Sequence, residues 1–137
     1  MLDERTFVQA VGTLCAADPG LAGSVERHGI PSFWARDPGP PTLVLIVLEQ
    51  QVSLASARAA FDRRERRLGV VDAGRLRSSS EPELRSDGFS RQKAGYVRAL
   101  AAAVDEGRVD LEGIGALPDD DVRRALTALP GIGPWTA

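Results

Sequence analysis

Apolar residues recur at three- and four-residue spacing along most of this chain, the period of a helix with one face turned to a core. Phe7, Val8, Val11, Leu14 and Cys15 form such a stripe behind Asp3, whose carboxylate can accept from the free amides of a helix start. A helix is therefore predicted from Asp3 to about residue 17, stopped by Asp18-Pro19-Gly20. A short helix over 21–28 follows, with His28 and Gly29 at its end, and then a proline- and glycine-rich loop holding Phe33 and Trp34. Ser53 opens a helix over 54–68 that Gly69 closes, and residues 70–80 read as a loop with one short helical turn. Residues 81–86 read as a short helix with Gly88 at its stop. Ser90 opens another to about 106, carrying Ala94, Val97, Ala101 and Val104 inward, and Gly107 closes it. After a turn over 110–115, Asp119, Asp120 and Asp121 supply a cap and a negative first turn. Val122, Ala125, Leu126 and Leu129 then face inward, and Arg123 and Arg124 face out.

Residues 42–52 break this regularity. Leu43-Val44-Leu45-Ile46-Val47-Leu48 is apolar all round and β-branched, which propensity alone permits as a buried strand. No other segment offers it a pairing partner of similar strength, and a lone strand cannot satisfy its own backbone. The segment is read as a buried helix entering after Pro40-Pro41, so the chain as a whole reads as all-α.

Composition adds mainly exclusions. A length of 137 residues suits a single domain, 1–137, and 43% hydrophobic with 26% charged residues is ordinary for a globular chain. The longest uncharged apolar run, 43–48, is far too short to cross a bilayer, and MLDERTF lacks the apolar centre of a signal peptide, so a cytoplasmic protein without a membrane partner is expected. Net charge is −2, so bulk charge does not announce a nucleic-acid binder. The run DRRERR over 62–67 reads as a solvated face with a pair such as Asp62–Arg66. A single cysteine excludes an internal disulfide or a four-cysteine cluster, and Cys15 is read as a buried structural thiol. A single histidine, His28, leaves no histidine pair for a metal and no Cys–His couple. No metal site built from side chains is expected.

The C-terminal stretch Leu129-Pro130-Gly131-Ile132-Gly133-Pro134-Trp135-Thr136-Ala137 carries the chemistry. Two glycines two apart permit a very tight turn, and Pro134 suits the first position of a new helix. Helix, hairpin and helix follow in order, with bare amides at the second helix start, where unpaired donors and the helix dipole favour an anion such as phosphate.

Three segments resemble, in order and spacing, the HhH-GPD DNA glycosylases, most closely the 3-methyladenine DNA glycosylase II (AlkA-like) branch. They are LEQQVS at 48–53, DGFSRQKAGYVRALA at 87–101 and LPGIGPWTA at 129–137. The resemblance runs from about Pro40 onward and is loose over the first forty residues. It implies an all-α HhH-GPD fold, incomplete at its C-terminus, with the helix-hairpin-helix at about 119–137. The family's catalytic aspartate lies past the second helix of that pair, beyond Ala137, so no catalytic residue is assigned in this chain. Glu49 and Asp87 are acids near the matching segments and are read as capping or solvated.

The function implied is base-excision repair: removal of alkylated bases such as 3-methyladenine from double-stranded DNA by hydrolysis, by a protein that is monomeric when completed. The alternatives are a non-catalytic hairpin module that grips nucleic-acid backbone, or an inactive fragment. Such enzymes flip a base out of the stack, and something must fill the gap. The resemblance puts Gln51 there as a wedge, with Gln50 beside it; by pattern alone they are two solvated glutamines at a helix end. Trp135 stands where lyase-type relatives carry a Schiff-base lysine, which implies a monofunctional reaction. Its indole face would attract a cationic alkylated purine, or else it is a core residue locking the hairpin. Leu129, Pro130, Gly131, Ile132, Gly133 and Thr136 are the implied phosphate-binding hairpin. Relatives often bridge that phosphate with a monovalent or divalent cation held by hairpin carbonyls, and no other cofactor is expected. Arg91 and Lys93, in the G-x-S-x-x-K string, serve either packing or DNA contact.

Overall fold

A computed structural model describes residues 3–137, and these are helical, with no strand among them. The chain forms two compact units, one ending at Arg36 and the other spanning Asp37–Ala137.

The first unit is a helix pair, α1 (Glu4–Ala17) and α2 (Pro19–His28). Asp3 caps α1 as expected: its carboxylate accepts from the Thr6 amide at 2.7 Å, and the Thr6 hydroxyl accepts from the Asp3 amide at 2.8 Å. The break between helices is narrower than the Asp18-Pro19-Gly20 reading, because Pro19 is already the first residue of α2 and Asp18 alone caps it. Gly29 ends α2 at φ 79, a backbone that favours glycine. Phe7 and Phe33 stack with ring centroids 5.3 Å apart. The expected burial of Cys15 is not found. The thiol is half-buried, no residue of α1 or α2 is fully buried, and Cys15 borders an apolar groove of about 330 Å³ with Leu14, Leu21 and Val25.

The second unit holds the core. Its helices are α3 (Pro40–Glu49), α4 (Leu54–Leu68), α5 (Ala73–Arg77), α6 (Glu81–Ser86), α7 (Arg91–Asp105) and α8 (Asp119–Thr127), with a 3-10 turn over Gly113–Ala116. α7 lies against α3, α5 and α6, and α4 packs on α3. The strand-or-helix ambiguity resolves as helix. α3 satisfies its own backbone and buries Leu43, Val44, Val47 and Leu48, with Leu45 and Ile46 packed at the edge of the core. Each such side chain contributes about 1.5–3 kcal/mol relative to an exposed one, which outweighs the modest preference of β-branched residues for strands.

The expectations about charge need correction. Within the DRRERR run Arg63, Glu65, Arg66 and Arg67 are exposed as expected, but Arg64 is 1% exposed and its guanidinium donates to Asp87, itself 1% exposed, at 3.0 Å. Arg64 also bonds the Ser79 hydroxyl, Arg67 reaches the other Asp87 oxygen at 2.8 Å, and Arg63 donates to the Asp87 carbonyl at 2.8 Å. Asp87 is therefore neither a solvated acid nor a simple cap. A carboxylate at that depth needs charged partners to offset its lost hydration, and only tertiary packing supplies them. On the exposed side the helix pair is Arg58–Asp62 at 2.7 Å, where Asp62–Arg66 was expected. Nor do Asp119 to Asp121 cap α8: Pro118 holds the cap position without a side-chain bond, and the three acids occupy the first turn.

Candidate functional site

Two turns of the same kind face each other in the second unit. The first ends α3, over Glu49-Gln50-Gln51-Val52. Gln50 has φ −59 and ψ 124, Gln51 has φ 59, and the Val52 amide closes on the Glu49 carbonyl at 3.4 Å. That is type II geometry, whose third residue needs positive φ and is ordinarily glycine or asparagine. Gln51 is the one non-glycine residue with positive φ among the described residues, and a side chain there carries strain of about 1–2 kcal/mol. The second turn, Leu129-Pro130-Gly131-Ile132, has proline second and glycine third. Gly131 has φ 85, and the Ile132 amide bonds the Leu129 carbonyl at 3.1 Å.

The two turns are bonded to one another. Gln50 Nε2 donates to the Gly131 carbonyl at 2.8 Å, joining residues 81 apart in sequence. Lys93, on the first turn of α7, donates from Nζ to the carbonyls of Leu48 and Gln50, both at 2.7 Å. These carbonyls sit at the end of α3, where helix acceptors lack intrahelical partners and a cation is favoured. Partial burial pushes the Lys93 pKa down. One helical turn further along α7, the Tyr96 ring packs so closely on Gly131 that a Cβ there would stand 2.2 Å from it. Of the two open readings for Lys93, packing is what its bonds provide. Arg91 is exposed and reaches only Glu81, at 3.5 Å.

The turns leave the expected residues in unequal roles. Gln51 projects from an exposed position, whereas the amide of Gln50 is engaged with the hairpin. Trp135 is 99% exposed, so it is not a core residue. It lines a cavity of about 560 Å³ together with Ile46, Glu49, Gln50, Gln51 and Thr136. The site thus joins residues 46–51 to 135–136. Leu129 and Ile132 are buried and anchor the hairpin, while Pro130 and Gly133 are exposed. The expected second hairpin helix is present as a single turn, in which the Thr136 and Ala137 amides bond the Gly133 carbonyl at 2.9 and 3.1 Å. Among the described residues the amides of Gly131 and Gly133 have no backbone acceptor.

The hairpin carbonyls of Leu129 and Gly131 each accept one protein hydrogen bond, leaving a second lone pair that a cation could take, whereas the Gly133 carbonyl already accepts two. Among the described residues no three His, Cys, Asp or Glu side chains gather as metal ligands. Of the acids near the matching segments, Glu49 borders the cavity, and Asp87 is closed off by arginines. A larger open depression of about 850 Å³ lies beside α6 between Arg85 and Ser90, and contains neither glutamine nor Trp135.

Sequence reasoning had a signal for one turn and none for the other. Pro130-Gly131 is the usual type II pair, but Gln50-Gln51 is not, so the strained turn and the bond that ties it to the hairpin went unforeseen.

A family model described as HhH-GPD superfamily base excision DNA repair protein matches residues 44–136. A comparison with curated proteins gives no match. Among solved structures, a DNA-3-methyladenine glycosidase from Bacillus halodurans is similar with a TM-score of 0.78 and 30% identity, over 95% of this chain and 59% of that one. A 3-methyladenine DNA glycosylase from Schizosaccharomyces pombe in complex with abasic DNA gives a TM-score of 0.77 at 21% identity, over 93% and 66% of the two chains. An 8-oxoguanine glycosylase/lyase from Clostridium acetobutylicum, bound to double-stranded DNA, gives 0.73 at 16%, over 93% and 48%. This chain therefore spans about half to two-thirds of the length of these relatives.

Proposed function

The chain belongs to the HhH-GPD superfamily of base excision DNA repair proteins, and from that premise we propose that it recognises double-stranded DNA at alkylated or missing bases as part of a monofunctional N-glycosylase. The observation that carries this reading is Gln51. Strained backbone persists where the surrounding structure holds it in place, and it clusters at functional sites. Here it aims an amide outward beside an exposed indole that shares its cavity.

In this reading Gln51 enters the stack and fills the space of the flipped base. An amide suits that place because it is planar and can both donate to and accept from the orphaned base. Trp135 forms one wall for the flipped base. Its electron-rich face would favour a purine made cationic by alkylation, and it cannot form the Schiff base that a lysine would. The Gly131 and Gly133 amides hold one backbone phosphate, which positions the protein without reading sequence. A monovalent or divalent cation beside that phosphate would help neutralise it.

Breaking the glycosidic bond builds positive charge on the sugar, and a carboxylate must stabilise it. In the family that group lies beyond the position of Ala137, so residues 1–137 supply grip, wedge and pocket wall. The test is a pair of measurements on the 137-residue chain. It should bind abasic-site duplex more tightly than intact duplex, and Gln51→Ala should remove most of that preference. It should release 3-methyladenine from alkylated DNA at least about a hundredfold more slowly than the same chain extended with a relative's C-terminal segment. Equal affinity for both duplexes would refute damage recognition. Strong base release that depends on Glu49 would transfer the carboxylate role to that residue.

A further inference from the structure

We propose that Lys93 and Gln50 are positioning residues that join the phosphate-gripping hairpin and the Gln51 turn into one body, so that seating the hairpin on the DNA backbone sets the insertion of Gln51. The proposal rests on the reading of Gln51 as a wedge.

Gln51 is a glutamine held in a turn that suits glycine. Across the turn the Val52 amide closes on the Glu49 carbonyl at a long 3.4 Å. Further support comes from outside it. The Lys93 ammonium grips the carbonyls before and within the turn, Leu48 and Gln50, and so fixes the peptide plane leading into Gln51. An ammonium has three donors and no acceptor, and two of the three are spent here on neighbouring carbonyls. The side chain of Gln50 then crosses to the Gly131 carbonyl. Gly131 is pressed against Tyr96, three residues from Lys93 on the same face of α7.

One turn of α7 therefore supports both the wedge turn and the hairpin, and Gln50 bridges them directly. Displacement of Gly131 by a phosphate on its amide side would be carried through its carbonyl to Gln50 and on to the peptide before Gln51. Neither Lys93 nor Gln50 need touch DNA for this. The lowered pKa of Lys93 agrees with an ammonium kept from solvent and spent on the protein itself.

The experiment uses the 137-residue chain and measures the ratio of affinities for abasic-site and intact duplex for Lys93→Met, Gln50→Met, Gln51→Ala and the double variants. Each positioning variant removes hydrogen bonds worth about a five- to tenfold change. That loss should fall on abasic-site affinity, with intact-duplex affinity unchanged within about twofold. In the Gln51→Ala background, Lys93→Met and Gln50→Met should have no further effect on the ratio, since there is no wedge left to position. A purely structural role would instead lower both affinities and persist in that background. Should Lys93→Met fail to fold by circular dichroism, Gln50→Met decides alone, because its bond bridges two turns at the surface. If Gln51→Ala alters the ratio and the positioning variants do not, this proposal is overturned and the wedge reading stands. If Gln51→Ala itself leaves the ratio unchanged, the wedge reading fails and this proposal falls with it.

Discussion

The turn at 49–52 and the turn at 129–132 share a geometry, and the contrast that matters is at the third residue. At the third position Gly131 adopts φ 85 with no side chain to oppose it, and a Cβ there would meet Tyr96. At the same position of the other turn stands Gln51, at φ 59, exposed and strained. On the proposed reading the two turns serve different ends. The hairpin turn presents backbone, and every atom beyond the backbone is in the way. The α3 turn presents a side chain, and it accepts a local cost that glycine would avoid. Around both, the half-buried Lys93 and Gln50 supply bonds that neither turn makes for itself.

That contrast can be sharpened first by disturbing neither turn. Asp87→Asn, in the buried cluster, leaves the Arg64 charge without its carboxylate and should destabilise the fold by about 3–5 kcal/mol. Chemical denaturation measures this, and the ratio of abasic-site to intact-duplex affinity should stay constant under conditions where the variant is folded. A changed ratio would mean that the site and the buried cluster are not separate. Next in size, Gly131→Val places a branched side chain at positive φ against the Tyr96 ring. Backbone strain alone costs about 1–3 kcal/mol, and the clash adds to it. On the proposed reading, in which the hairpin holds a backbone phosphate, affinity should fall for both duplexes alike. Retained stability and affinity in this variant would break the account of the hairpin.

Gln51→Gly inverts the usual relation of stability and function. Relief of the left-handed strain should raise stability by about 0.5–1 kcal/mol, allowing for the greater entropy of the unfolded glycine chain. The abasic-site preference should be lost at the same time. A variant that is both more stable and fully discriminating would show that Gln51 is strained for no purpose. The smallest effect concerns acid. The backbone N–H of Ser80, and after it the Ser80 hydroxyl, holds the Glu83 carboxyl below its ordinary value of 4.5. A depressed carboxylate contributes stability that is present above the ordinary value and lost as pH falls through the folded one. Melting temperature should therefore decline below about pH 4.5, and Glu83→Gln should flatten part of that decline. This exposed capping box on α6 takes part in none of the bonds that tie the two turns together, so the affinity ratio at neutral pH should not move.

Local order was readable from the chain. Asp3, Ser53 and Ser90 announce helix starts, and Gly29 and Gly69 announce stops, because capping is a contest among atoms a few residues apart. The helical period gave the inward face of α7, where Ala94, Val97 and Ala101 are buried, and the absence of a pairing partner decided α3 against a strand. The paired glycines Gly131 and Gly133 gave the hairpin turn, although of the two Gly131 alone takes positive φ. The motif spacing likewise selected the family.

What sequence could not contain was which distant groups meet. Arg64 reads as surface with the rest of DRRERR, because Asp87, the carboxylate that pairs with it when buried, lies 23 residues away. Cys15 sits on an apolar stripe, yet the helix pair that carries it buries no residue fully. Gln50 and Gln51 are identical letters at a helix end. One becomes a tie to the hairpin and the other an exposed, strained projection, because only the packing of α3, α7 and the hairpin puts the Gly131 carbonyl beside one of them and Lys93 behind both. Caps and periods are set by neighbours along the chain, whereas the pairing of a buried charge and the strain of a turn depend on groups that only the fold brings within reach.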